Sequence, residues 1–545
     1  MRLQTPNSGS RNHLPILLLL AISIPIGILT FKDYGLTWDE PLFYDYAKAL
    51  GYAYSPAIWF SGEFNLDNAF GSSASDHANR GPAYLLLARQ PAAWLEGLGL
   101  DMASAWHLVN FLTFQVGVYG LYALCLHWMR PWPAFSAAVL FASQPLLWGH
   151  SFINSKDIPF LVFFILSIWS GLAMVDALVQ RGTRKKQLLL ICVSGALVGL
   201  TTSIRVLGPL AGLLIILYGL SQFWSKRSSL QIDGSAFLRV ILLPLFSYLI
   251  VSILVMFVTW PYLWPDPIKR FLEVFQFMSA NPTELAVLFN GVIFHADELP
   301  RRYLPTLLIL TLTEPTWPLF FIGTTIGLMN ILKIKDQKTP SEGQSPSKTP
   351  VIWLLLAWFL YPFLYVIIRK PPIYDGYRHF LFMLPPVFIL AGIAFDKLFD
   401  LFQPKWVYFA FISLVLCPGV LGIFQLHPYE YTYYNSYIGG VNGAFRRYET
   451  DYWLTCYKEA IGSLEAVTST RTNLFVRREP AIAAYYASGN LSIRDYRLDL
   501  NEIQSGDYYL VNTRSNEDRK AYRDAAITLA IGREGADFCY IKKIP

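Results

Sequence analysis

The sequence predicts a polytopic α-helical membrane protein that carries a small α/β module at its C-terminal end. Three observations point there. Of the 545 residues, 54% are hydrophobic and only 15% are charged, against about 25% charged in soluble domains. Apolar runs recur at the length a bilayer asks of a helix, roughly 20 residues. The stretch 425–545 has no such run and alternates strand-like with helix-like segments.

Taken in order, about eleven runs read as spans: 14–30, 105–128, 132–149, 158–179, 187–204, 206–223, 239–259, 305–333, 351–368, 379–396 and 404–424. The first is read as a span and not a cleaved leader, since no small-residue cleavage site follows it. Loop 31–104 alternates aromatic with charged residues. It is expected to form short amphipathic helices lying on the membrane, apolar face down. Residues 335–350, rich in Lys, Ser, Pro and Gln, read as a flexible linker.

Lysine and arginine set the orientation. Arg2, Arg11, Arg130 and the stretches "QRGTRKKQ" (180–187), "SKRSS" (225–229), 333–348 and 396–405 fall on one side when spans are counted alternately. That side is expected to be cytoplasmic. The opposite side, taken as extracytoplasmic, holds loops 31–104, 150–157, 260–304 and 369–378 and everything after 425. The net charge of +6 is thus a topology signal. A nucleic-acid partner would need a basic patch on a folded domain, and none is visible.

In 425–545, helices are expected at 451–467 and 479–488, with strands at 472–478, 507–514 and 537–544, which together suggest a compact α/β module. Cys456 and Cys539 are the two cysteines on this side, where a disulfide is permitted; sequence leaves their pairing open. The tyrosines of "HPYEYTYYNSY" (427–437) are expected at the water–lipid boundary, where tyrosine is enriched.

The polar chemistry collects at the outer boundary. "YGLTWDEPLFYDYAKAL" (34–50) sets Asp39 and Glu40 just past the first span, beside Trp38. One carboxylate could simply cap the helix opened by Pro41. A pair costs repulsion that a cap does not require, and a partly desolvated carboxylate suits a general base. "GHSFINSKDIPF" (149–160) brings His150, Lys156 and Asp157 to the same side. Asp157 could cap the next helix and Lys156 could snorkel to lipid; functionally they offer a second carboxylate and a cation for phosphate. "RKPPIYDGYRHFLFMLPP" (369–386) adds Arg369, Lys370, Asp375, Tyr377, Arg378 and His379; Arg205, Arg301 and Arg302 are further outer cations. Charges at a span's mouth are costly unless they meet an anion or a cavity, and an arginine fork suits phosphate oxygens.

The order "WDE", amphipathic loop, "NSKDIPF", "ELPRRYLPTLLILTLTEP" and "YDGYRHFLFMLPP" resembles the bacterial GT-C membrane glycosyltransferases, in the family 39-like group related to protein O-mannosyltransferases and aminoarabinose lipid A transferases. It covers the membrane part, 1–424, leaving 425–545 as an outer domain. The resemblance implies an inverting transfer, without a nucleotide, from a polyprenyl-phosphate sugar to a lipid, glycan or protein acceptor. It places the base at Asp39 with Glu40 beside it and a second acidic position at Asp157. Lys156 would face the donor phosphate. The residues themselves add Arg205, Arg378 and His379 as phosphate partners and Trp38, His150 and Tyr377 as acceptor or sugar contacts. The C-terminal module departs from the inserted outer domain of protein O-mannosyltransferases.

No cofactor is called for. The alternative is a divalent metal on Asp39 and Glu40, helped by Asp76 or His77, although hard-oxygen sites usually need more carboxylates. Two other classes fit less well. A polyprenyl-lipid transporter would string charges along a mid-membrane path. A membrane-anchored scaffold would act through the outer module alone.

Overall fold

The computed structural model describes residues 12–72, 77–180, 182–230, 241–280, 283–336 and 349–545. Helix dominates up to residue 426, and all eleven apolar runs are helical over most of their described length. Among the described residues five helices are long and apolar enough to cross a bilayer: Met102–Cys125, Asp157–Val179, Arg184–Ile204, Val351–Arg369 and Lys405–Leu426. Four more are apolar but shorter, among them Leu14–Thr30 and Leu243–Val258. Many large side chains on these helices face outward, including Leu17, Leu29, Leu189, Phe246, Ile253, Phe321, Leu414 and Phe424. So broad an exposed apolar face belongs in lipid, and the chain is a multi-pass membrane protein.

Two of the expected spans are broken. Run 305–333 is two helices, Tyr303–Thr311 and Thr316–Asp336, set at 105°. Run 132–149 divides into Pro131–Ala142 and Pro145–Ile153. Pro315 and Pro145 lack the N–H that would continue each helix. Freed backbone groups at membrane depth need partners, and two side chains supply them. Asn435 donates to the carbonyls of Ile309 (2.7 Å) and Leu312 (2.8 Å). Gln144 accepts from the Thr313 N–H (3.0 Å) and donates to Leu140 O (2.9 Å). The polar residues that permit the breaks lie far apart in the chain. Run 379–396 also differs: Arg378–Met383 is a 3-10 turn, and the α-helix is Pro385–Leu401.

In loop 31–104, helix Glu40–Ala53 buries Phe43, Tyr44, Tyr46, Ala47, Leu50 and Ala53 in the protein. It therefore packs as a core element, whereas the amphipathic stretch further along forms helix Ala83–Gly97, with Ala83, Tyr84, Leu85 and Ala88 buried and Leu87 and Trp94 exposed. A short hairpin, β1 (Ala286–Phe289) and β2 (Val292–His295), lies in the loop 260–304.

The C-terminal part holds a five-stranded sheet of β3 (Thr472–Val476), β4 (Leu491–Asp495), β5 (Tyr508–Asn512), β6 (Ile527–Arg533) and β7 (Ala536–Lys543). Its order is β4-β3-β5-β7-β6, parallel through β4, β3 and β5 and antiparallel beyond. β4 and β6 are strands that the sequence pattern left unassigned. The expected helix 451–467 begins only at Tyr457, because Asp451 is spent on the loop before it, accepting from the N–H groups of Thr455 (3.1 Å) and Cys456 (2.9 Å). Cys456 and Cys539 form a disulfide that ties this loop to β7. Tyr429, Tyr431, Tyr433 and Tyr434 are buried between helices and sheet. The boundary position expected for them fails; of that run Tyr437 stays exposed.

Candidate active site

The loops on one side of the helices bring five of the predicted residues together: Asp39, Lys156, Asp157, Arg205 and Arg378. Each arrives at the end of a helix. Asp39 precedes helix Glu40–Ala53 but makes no side-chain capping bond, which removes the capping explanation. Its carboxylate is 28% exposed and pairs with Arg378, Oδ2 to Nη2 at 3.1 Å.

Asn154 interrupts the chain between helices Pro145–Ile153 and Asp157–Val179. Its Oδ1 accepts from the N–H groups of Lys156 (3.2 Å) and Asp157 (2.7 Å). Asn154 thus takes the capping role that Asp157 might have filled. The Asp157 carboxylate is left for two guanidiniums: Oδ1 meets Arg205 and Oδ2 meets Arg378 Nη1 at 3.2 Å. Arg205 stands just beyond helix Arg184–Ile204, in extended backbone. Arg378 follows a turn in which Asp375 and Gly376 are both left-handed (φ 55° and 68°), a conformation that aspartate tolerates better than most residues. Asp375 Oδ2 lies 3.2 Å from Arg378 Nη2.

Lys156 is 8% exposed. Among the described residues its ammonium makes no ion pair; its neighbour is the Phe43 ring, 5.3 Å from the centroid. It lies within electrostatic reach of Arg80, Arg205, Asp39 and Arg378. The lipid snorkelling considered for it is thereby replaced by burial in a cation cluster. A buried cation without a counter-ion is costly, so an anion that enters this pocket gains what the lysine lacks.

Arg80 is the member that sequence reasoning missed. The only signal was the following Gly81, and its meaning needs the structure: a Cβ there would sit 2.1 Å from the Ser203 carbonyl oxygen. Only a glycine lets this loop approach the end of helix Arg184–Ile204, where Arg205 stands.

The other predicted residues divide. Glu40 is fully buried and spent: it accepts from the Thr37 N–H (2.7 Å) and from the Tyr44 hydroxyl, and meets His107 Nε2 at 3.1 Å. The structure does not bring it to Asp39's partners. His379 stacks edge-on with Tyr374 (4.9 Å) and lies within reach of Arg378, Arg205, Arg80 and Lys156. His150 is buried beside the cluster, its Nδ1 3.1 Å from Asn154 Nδ2 and its Nε2 2.9 Å from the Tyr452 hydroxyl. Tyr377 is buried with its hydroxyl on Thr311 (2.8 Å). Trp38 carries the guanidinium of Arg514 on its ring, 4.3 Å from the centroid. Arg301, Arg302, Arg369 and Lys370 are exposed and take no part in the cluster.

For a metal, Glu40's bonds leave the adjacent carboxylates with different partners. Among the described residues no three His, Cys, Asp or Glu side chains converge as ligands. His77 stacks edge-on against Phe43 (5.3 Å), and Asp76 lies outside the described residues.

No protein-family model matches the sequence, and no curated protein does. Solved structures do match. ArnT from Cupriavidus metallidurans in the apo state aligns over 96% of this chain and 97% of its own, with a TM-score of 0.50 at 12% identity. The oligosaccharyltransferase of Archaeoglobus fulgidus in the apo form aligns over 93% of this chain and 70% of its own, with a TM-score of 0.51 at 11% identity. The fold is that of the GT-C membrane glycosyltransferases.

Proposed function

We propose that the chain is an inverting glycosyltransferase that moves a sugar from a polyprenyl-phosphate carrier to an acceptor at the outer face of the cytoplasmic membrane. One observation carries this reading: a single partly exposed carboxylate, Asp39, stands among buried cations, one of which, Lys156, has no ion pair. The shared fold supports glycosyl transfer in general.

The acceptor's hydroxyl gives its proton to Asp39 as its oxygen attacks the anomeric carbon from the face opposite the phosphate. The carbon–oxygen bond to phosphate breaks, and the leaving lipid phosphate keeps the electron pair. An amine-bearing acceptor would react in the same way through nitrogen. Lys156, Arg205 and Arg378 neutralise the growing negative charge; a preorganised donor of this kind is worth about 10²–10³ in rate. General-base assistance contributes about 10²–10⁴. Asp157 holds Arg205 and Arg378 by one oxygen each and so positions the phosphate's partners. A lipid carrier accounts for the site's place at the helix ends, since its tail tethers the reacting carbon there.

The test offers purified protein in detergent a mixed pool of polyprenyl-phosphate sugars with candidate lipid, glycan and peptide acceptors. Consumption of one donor, with an inverted anomer in the product, is the expected result. Binding of a carrier lipid without turnover against any acceptor would favour lipid transport, and no interaction with any carrier would overturn the reading.

A further inference from the structure

Arg514 follows β5 in the C-terminal sheet, far along the chain from the rest of the site, yet it is only 2% exposed. Its Nη1 lies 2.6 Å from Asp375 Oδ1 and donates to the Tyr452 carbonyl (2.7 Å), and its guanidinium covers the Trp38 ring. Trp38 adjoins Asp39 in the chain, and Asp375 is the carboxylate that shares Arg378 with Asp39. One side chain of the outer sheet therefore touches both the neighbour of the base and the partner of the base's cation.

The loop that delivers it is built for the task. Ser515 and Asn516 are both left-handed (φ 49° and 56°), which costs energy in residues with a side chain. They are pinned in that state. The Ser515 hydroxyl donates to Glu449 (2.8 Å), and Arg446 donates to Asn516 Oδ1 (3.0 Å) while pairing with Asp518 (2.6 Å). Mere attachment of the sheet would be served better by apolar packing than by a desolvated guanidinium.

We infer that Arg514 is a positioning residue of the active site, so that the C-terminal module completes the catalytic centre instead of merely standing above it. Arg378 Nη2 is contested: Asp39 Oδ2 is 3.1 Å away and Asp375 Oδ2 is 3.2 Å away. Arg514 pairs with the other oxygen of Asp375 and weakens its pull on Arg378. Without Arg514, the buried Asp375 has one cation left and draws Arg378 from Asp39. The base then loses the cation that holds its carboxylate in place, leaving Lys156 and Arg205 as the charges that face it. Asp375 itself would then face Arg378 and the hydroxyls of Tyr303 and Tyr452.

The inference rests on the glycosyltransferase reading, and the experiment separates the two. Turnover of full-length wild type is measured first; its absence overturns the enzyme reading itself. With turnover in hand, Arg514→Gln is expected to lower kcat about tenfold or more with little change in donor KM. Arg514→Lys is expected to recover part of the rate, and so is the double variant Arg514→Gln with Asp375→Asn, because it removes the competitor for Arg378. Thermal unfolding and carrier-lipid binding of each variant identify loss of fold. Wild-type kcat in Arg514→Gln would overturn the inference. So would a double variant no better than Arg514→Gln when both bind carrier lipid normally. If Arg514→Gln does not fold, the folded Arg514→Lys variant decides: an unmoved kcat there overturns the inference as well.

Discussion

Asp39 and Glu40 are neighbours in the chain whose carboxylates serve different partners: Asp39 meets Arg378 at 3.1 Å, and Glu40 meets His107 at 3.1 Å in the protein interior. One stands at the mouth of the cation cluster and the other ties helix Glu40–Ala53 to helix Met102–Cys125. Under the proposed function the acidic pair is a base beside an anchor.

Glu40→Gln follows from that division. The amide keeps the shape but weakens the bonds to the Thr37 N–H, Tyr44 and His107. The expected cost is about 1–3 kcal/mol of stability, read as a lower Tm, with kcat of the folded protein within a few-fold of wild type. A loss of kcat as deep as that of an Asp39 variant, at unchanged Tm, would return Glu40 to the chemistry.

Lys156→Met should separate stability from function in the other direction. The ammonium is buried, has no ion pair and lies near Arg80, Arg205 and Arg378. Replacing an uncompensated buried charge by an apolar group is neutral or stabilising, so Tm should hold or rise. Donor turnover should fall about 10²-fold or more. A fall in Tm together with full activity would contradict the proposed role.

His427 bridges the loop after the first helix and the start of the C-terminal part. Its Nε2 lies 3.0 Å from Asp33 and its Nδ1 2.8 Å from Glu430. Burial opposes protonation, but the two carboxylates outweigh it and raise the pKa above the ordinary histidine value. A raised folded-state pKa gives stability that is full below the unfolded pKa of about 6.5 and is lost as pH rises through the higher folded value. Wild type should therefore lose more Tm than His427→Gln between mildly acidic and mildly alkaline pH. Parallel Tm–pH curves for the two proteins would contradict it.

Much of the membrane part was legible because length and hydropathy act locally: every apolar run is helical. What escaped the sequence was produced at a distance. The break near Thr313 depends on Asn435 and Gln144 supplying bonds from elsewhere in the chain, which no window of residues contains. The same holds within the site. Asp39, Lys156, Asp157, Arg205 and Arg378 announce themselves as charges at the ends of apolar runs, which lipid penalises. Arg80 sits in a polar loop where a charge costs nothing, and Arg514 in a sheet domain where arginine is ordinary. Glu40 misled for a related reason, because adjacency in sequence does not fix which way two carboxylates turn.

The most direct measurement is single-turnover sugar transfer by Asp39→Asn beside wild type, with donor binding measured on the same samples. Donor binding within a few-fold of wild type, with transfer slower by about 10²–10⁴, is the expected result. Transfer at the wild-type rate in Asp39→Asn would contradict Asp39 as the base.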